Sequence, residues 1–173
     1  LATYFPLGQS PSLDADPFPG GAYATELTFS AFEATSATLG TAFVRVDILA
    51  VSGPAGGTFS FWEDEATSPT WTRPVGWSAA GADKPSFDIS EDNTGYGHLH
   101  GRVFTTNQPG TYDVTFQVVD TLGHYTASAS FVVQFTAISP PQISIGKVGL
   151  SIELDFTSRD GLVYDIQSST TLN

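Results

Sequence analysis

The chain of 173 residues contains no cysteine. That excludes disulfides, thiolate metal centres and cysteine nucleophiles together. A chain of this length buries enough apolar surface to fold without such staples. Methionine is also absent, even at the first position, where the sequence reads Leu1-Ala2-Thr3. We read this start as one left by removal of a signal peptide, and expect a secreted protein, extracellular or on a cell surface. Charge is sparse at 14% of residues, and Lys84 and Lys147 are the sole lysines. Six basic residues stand against eighteen acidic ones, a net charge of −12. Such a chain repels phosphate backbones, so no nucleic acid is expected as a partner. The same charge disfavours anionic membrane surfaces. No apolar run approaches the ~18 residues that a membrane span needs.

Thr, Ser, Gly and aromatic residues fill the space that charge leaves, a mixture suited to strands and tight turns. No segment sustains a 3.6-residue period. Residues 1–22 are rich in Pro, Gly and Ser and read as an extended arm, with Tyr4-Phe5 and Leu7 as apolar anchors. The arm is expected to dock on its own domain or on a neighbour. Strand signals begin at Tyr23 and recur through residue 138. In Phe43–Leu49, Val44, Val46 and Ile48 share one face while Arg45 and Asp47 share the other. Thr58–Trp62 reads as a strand, residues 63–97 as a long loop excursion with short strands, and His98–Thr105 as a strand. Tyr112, Val114, Phe116 and Val118 alternate with polar residues, as do Tyr125, Ala127, Ala129, Phe131, Val133 and Phe135. About seven strands at regular spacing, parted by turn signals, predict an all-β antiparallel sandwich over 23–138. Pro109-Gly110-Thr111-Tyr112 places a tyrosine at a strand start, as in a tyrosine corner.

Pro140-Pro141 marks a linker. Beyond it, Ile143-Ile145, Leu150–Phe156 and Leu162–Ile166 predict three short strands, the last two joined by Arg159-Asp160-Gly161. Residues 139–173 are too few to bury a core alone, so this partial second β-module must pack on the first domain or on another chain.

Two resemblances rest on these segments. Phe59-Ser60-Phe61-Trp62-Glu63, then Gly97-His98-Leu99-His100-Gly101-Arg102-Val103-Phe104-Thr105-Thr106, then Pro109–Phe116, resemble in order the motifs of bacterial surface-anchored repeat domains. Those repeats carry an aromatic residue where this chain has Arg102. The hairpin of Gly110–Phe135 is similar to PKD and other immunoglobulin-like modules, which serve mostly as spacers and adhesion units. Leu150–Phe156 and Tyr164–Leu172 resemble the opening strands of a fibronectin-III-like module of exported bacterial proteins. The resemblances imply an immunoglobulin/PKD-like sandwich followed by a truncated module. An unfinished sheet leaves an open edge, so self-association is expected through the N-terminal arm and the C-terminal module. Strand addition in trans between them would build a filament.

Three constellations are candidates for chemistry. His98 and His100 stand at i and i+2 of a predicted strand, on one face, where imidazoles start a metal site. His124, Glu63, Asp64 and Asp92 are the groups that would complete it, for a divalent ion such as Zn, Cu or Ca. The alternative is a solvated polar face. Asp14-Ala15-Asp16 and Glu91–Gly95 are acidic loops without the spacing of a calcium-binding hand. Trp62, Trp71, Trp77 and Tyr96 offer flat faces on which a sugar would stack, or else core residues. No nucleophile elbow, zinc-protease motif or phosphate loop occurs, and no enzyme is expected. The reading is a non-enzymatic surface building block; the alternative is a displayed module that captures metal or carbohydrate.

Overall fold

The computed structural model describes residues 2–5, 19–31, 42–63, 66–81, 84–89 and 97–157, with backbone only for Thr3, Phe5, Ala31 and residues 97–101. The described residues form eleven strands and no helix. They are β1 (Ala2–Phe5), β2 (Ala22–Ala31), β3 (Val44–Ser52), β4 (Thr58–Trp62), β5 (Trp71–Pro74), β6 (Ser86–Asp88), β7 (Gly97–Thr106), β8 (Gly110–Asp120), β9 (Phe131–Ile138), β10 (Ile143–Val148) and β11 (Ser151–Phe156). The chain divides into two units, residues 1–139 and 140–173, at the Pro140-Pro141 pair.

The first unit is a β-sandwich. Its strands pair in the order β5-β4-β7-β2-β1-β9-β8-β3-β6. The short strand β1 joins the two layers: it runs antiparallel to β2 and parallel to β9. The apolar arm residues thus enter the domain's own sheet, at least from Ala2 to Phe5. Between the layers lies an aromatic core. Phe59 and Phe104 from one layer meet Phe135 from the other at 4.8 and 5.7 Å between ring centres. Phe61 stacks on Phe87 at 4.9 Å. Rings pack here at the offset and edge-on distances their quadrupoles favour.

Alternation explains which side chains reach this core. Val44, Val46 and Ile48 are buried, as expected, and face β8 through the pairs Val46↔Val118 and Ile48↔Phe116. Between Ile48 and Ala50 a bulge inserts one extra residue, so Val51, not Ala50, continues the buried row. On the other face, the carboxylate of buried Asp47 takes Arg45 at 2.8 Å and Lys84 at 3.9 Å. One expected strand is shorter than its pattern. Residues 126–130 lie outside β9 although Ala127 and Ala129 continue the alternation. Here the Ser128 hydroxyl accepts from Val118 N–H at 3.0 Å, and Gln117 Nε2 donates to Ser128 O at 2.8 Å. A side-chain oxygen replaces one of the ladder's carbonyls, and regular pairing begins only at Phe131. The 63–89 excursion contributes the short edge strands β5 and β6.

In the second unit, β10 and β11 pair antiparallel from Ile143↔Phe156 to Val148↔Ser151, across a two-residue turn with Gly149 at φ 65°. The expected third strand, Leu162–Ile166, lies outside the described residues.

Candidate functional site

Strand directions sort the candidate residues by their place in the sandwich. β4 ends and β7 begins at one end of the barrel-like stack, since Trp62 pairs with Val103 and Phe59 with Thr106. β2 ends there, with Ala31 opposite Gly97. β8 also ends there and β3 begins, with Val44 opposite Asp120. Glu63, His98 and His124 therefore belong to one end of the fold. The tyrosine corner occupies the other.

Of the expected metal set, Glu63 and His124 are the members whose side chains lie among the described residues. The backbone of His98 pairs with Ser30, and the register breaks between Leu27 and Phe29, opposite His100-Gly101. Two residues of β7 there face one of β2. The side chains of His98 and His100 lie outside the described residues, as do Asp64, Asp92 and Tyr96. Glu63 is engaged otherwise: its carboxylate accepts from the Arg102 guanidinium. Glu63 and Arg102 each stand two residues beyond a core phenylalanine, Phe61 and Phe104, on the core-facing side of their layer. The Arg102 guanidinium thus lies beside Glu63, one of the expected metal-binding carboxylates. His124 sits in the β8–β9 loop with its N–H turned to Asp120. Among the described residues, no three His, Asp or Glu side chains converge as a metal site requires.

The tryptophans do not make a common surface. Trp62 is buried, and its Nε1 donates to Thr105 Oγ1 at 2.9 Å; it is a packing residue beside Val103 and Ala24, not a stacking platform. Trp71 stacks on Phe61 at 5.5 Å, an extension of the core. The Arg73 guanidinium lies 5.1 Å from the Trp77 ring centre. Trp77 offers that face to a cation.

Two polar assemblies dominate instead, and both hold strands together. The Asp120 carboxylate accepts four backbone N–H groups, from Leu122 (3.0 Å), His124 (2.6 Å), Tyr125 (3.0 Å) and Phe43 (3.1 Å). Burial alone works to raise the Asp120 pKa, but the four donors outweigh it and hold the carboxyl below its ordinary value. One side chain thus closes the β8–β9 loop and moors the entry to β3. The sequence showed this segment only as a hairpin loop; an Asp followed by a Gly-containing turn is the signal that marks it.

At the opposite end, Tyr112 is fully buried and its hydroxyl donates to Gln108 O at 3.1 Å. This is the tyrosine corner that the Pro109-Gly110-Thr111-Tyr112 run announced. Burial pushes the phenol above its usual pKa, partly offset by hydrogen bonds with Thr106 and Gln108. The β3–β4 loop wraps the ring. Gln108 Nε2 donates to Ala55 O at 3.0 Å, and Asn107 Oδ1 accepts from Thr58 N–H at 2.8 Å. Gly110 sits at φ 136°, where an added Cβ would meet Pro54 Cγ at 2.4 Å. Only glycine satisfies both the backbone conformation and the contact.

The comparisons with known proteins find no matching family, no matching curated sequence and no matching solved structure.

Proposed function

We propose that this chain is a non-enzymatic structural module of a secreted protein, a building block of an extracellular or cell-surface assembly. The observation that carries this reading is the β10–β11 hairpin. Directly paired residues share a face in an antiparallel ladder. Ile143, Ile145, Ile152, Leu154 and Phe156 therefore share one face, with Lys147 at its turn end, while Ser144, Asp155 and Glu153 lie on the other. Those five side chains are exposed, Ile145 by 74% and Ile152 by 76%. The two strands described in this unit would be marginal in water by themselves, and a contiguous apolar row marks an interaction site. In the sandwich, the polar groups already described are engaged in holding strands, which suits a load-bearing element.

The finer reading of the sandwich is immunoglobulin-like. Its partners β1-β2-β7-β4 and β9-β8-β3 correspond in chain order to strands A-B-E-D and G-F-C of that fold, with Tyr112 at the corner before strand F. Copies associate by strand addition through the second unit. Ala2–Phe5 belong to the domain's own sheet, so these four residues of the arm are not a free donor of the contact. His98 and His100 are the residues that would hold a divalent ion as a stabilising clip.

Electron microscopy of the purified 173-residue chain, with and without a chelator, tests the proposal. Filaments or other regular assemblies are the expected result, and their loss on chelation would assign the metal to assembly. Uniform single particles in both conditions would overturn the structural reading in favour of a monomeric capture domain.

A further inference from the structure

Most large apolar side chains of the first unit lie inside it, but three exposed ones gather at the end of the sandwich where β8 leaves and β3 enters. Phe43, Leu122 and Tyr125 are 40%, 60% and 44% exposed. Their backbone nitrogens lie 3.1, 3.0 and 3.0 Å from the oxygens of one carboxylate, that of Asp120. The three side chains therefore spring from a single point, although Phe43 stands 77 residues before Asp120.

The frame that carries them is pinned on both sides. The Thr121 N–H and hydroxyl both donate to Phe43 O, at 2.8 and 3.1 Å. Further on, Ser128 N–H donates to Val118 O at 2.9 Å, and the Ser128 hydroxyl accepts from Val118 N–H at 3.0 Å. Gly123, at φ 77°, turns the chain between these points. A loop held in this way gives up little freedom when it binds. Scattered apolar side chains are ordinary on a protein surface. Three anchored on one buried carboxylate are a built patch.

The chemistry around the patch selects its occupant. Residues 121–130 are all exposed and contain no Asp, Glu, Lys or Arg. They offer no charge to an ionic group, and the chain's net charge of −12 disfavours an anionic one. The three side chains expose roughly 100 Å² each, well short of the ~800 Å² per partner that a stable protein interface covers. A lipid surface draws on basic residues beside the apolar ones, and this loop has none. Exposed rings with hydroxyl residues nearby, here Thr126 and Ser130, match the apolar faces and polar rims of a sugar. We propose that Phe43, Leu122 and Tyr125 form a stacking site for an uncharged polysaccharide. The site goes beyond the structural-module reading and stands whether or not copies of the chain assemble.

Affinity electrophoresis of the full chain tests this, in gels cast with a neutral β-glucan, a neutral galactomannan or anionic polygalacturonate. Retardation by at least one neutral polymer, and none by the anionic one, is the expected result. Tyr125→Ala and Phe43→Ala are each expected to weaken binding by about tenfold, the loss of one stacked ring. Their melting curves stay unchanged, because Asp120 holds both residues by backbone N–H groups. Tyr125→Phe, which keeps the ring, retains binding. So does Trp77→Phe, at the other end of β3, where Val51 N–H donates to Trp77 O. Unaltered migration in all three gels overturns the proposal, as does retardation that survives both alanine variants or that Trp77→Phe abolishes. Equal retardation by polygalacturonate overturns the uncharged ligand. Co-sedimentation with phosphatidylcholine vesicles that both alanine variants abolish would overturn it in favour of a lipid surface. None of these outcomes bears on assembly, which electron microscopy reads separately.

Discussion

Tyr112, Val114 and Phe116 in β8 and Ile152, Leu154 and Phe156 in β11 follow the same rule of alternation. The first three are fully buried, while the second three remain 76%, 51% and 42% exposed. Within each strand the pattern encodes which side chains share a face. It does not encode what covers that face. In β8 the cover is the opposite layer of the sandwich, reached through contacts distant in sequence. Among the described residues the β10–β11 ribbon has only its own two strands for a sheet, and a period of two looks alike in both settings.

The largest break in this comparison comes from truncating one aromatic of the sandwich core. Phe104→Ala is expected to cost about 3–5 kcal/mol, the range for emptying a packed aromatic site. Urea unfolding followed by tryptophan fluorescence measures it, and a cost under half that range would mean the aromatic core relaxes around the gap. Next in size is the corner. Tyr112→Phe keeps the ring and removes the bond to Gln108 O, an expected loss of about 0.5–1.5 kcal/mol. If calorimetry shows no change, the hydroxyl contributes nothing beyond the packing of its ring.

Titration sharpens the contrast further. The native Asp120 carboxyl is held below the ordinary value of 3.8. Its contribution is therefore complete above that value and disappears as pH falls through the lower native one, because the unfolded chain takes up the proton first. Asp120→Asn should remove this part of the acid limb, so the gap in melting temperature between wild type and variant narrows as pH is lowered. The Tyr112 phenol has the opposite sign. Its native value lies above 10.0, so its contribution is present below the unfolded value and is lost as pH rises through the native one. The smallest effect is expected in the ribbon, where Leu154→Ala should change the unfolding free energy of the chain by no more than about 0.5 kcal/mol, as exposed sites do. A cost like that of Phe104→Ala would show that this row is covered in solution.

Much of the sandwich was legible because its strands combine a strict period with strong punctuation. Pro109-Gly110 and the Tyr112 that follows fix a turn and a strand start within four residues. The bulges were not legible. Nothing in Ile48-Leu49-Ala50-Val51 distinguishes an extra residue from a strand end until β8 supplies the register. Ser128 misled for a related reason: a serine within an alternating run reads as the solvent face, yet its hydroxyl displaces a backbone acceptor. The pairing of Glu63 with Arg102 was not legible, since Arg102 lies 39 residues away. The residues that hold the two ends together, Asp120 and Gln108, act through backbone groups, and such contacts leave little trace in residue type.

The parallel pairing of β1 with β9 has a mechanical consequence. If the first unit is stretched by its ends, β1 is drawn toward its N-terminus and β9 toward its C-terminus. For two strands running the same way, those pulls are opposed along their length. The bonds at Ala2↔Ala137 and Thr3↔Ile138 are then loaded together in shear, not opened one after another like a zip. Force would meet this small patch before it reached the aromatic core, and the patch would act as the clasp of the whole sandwich.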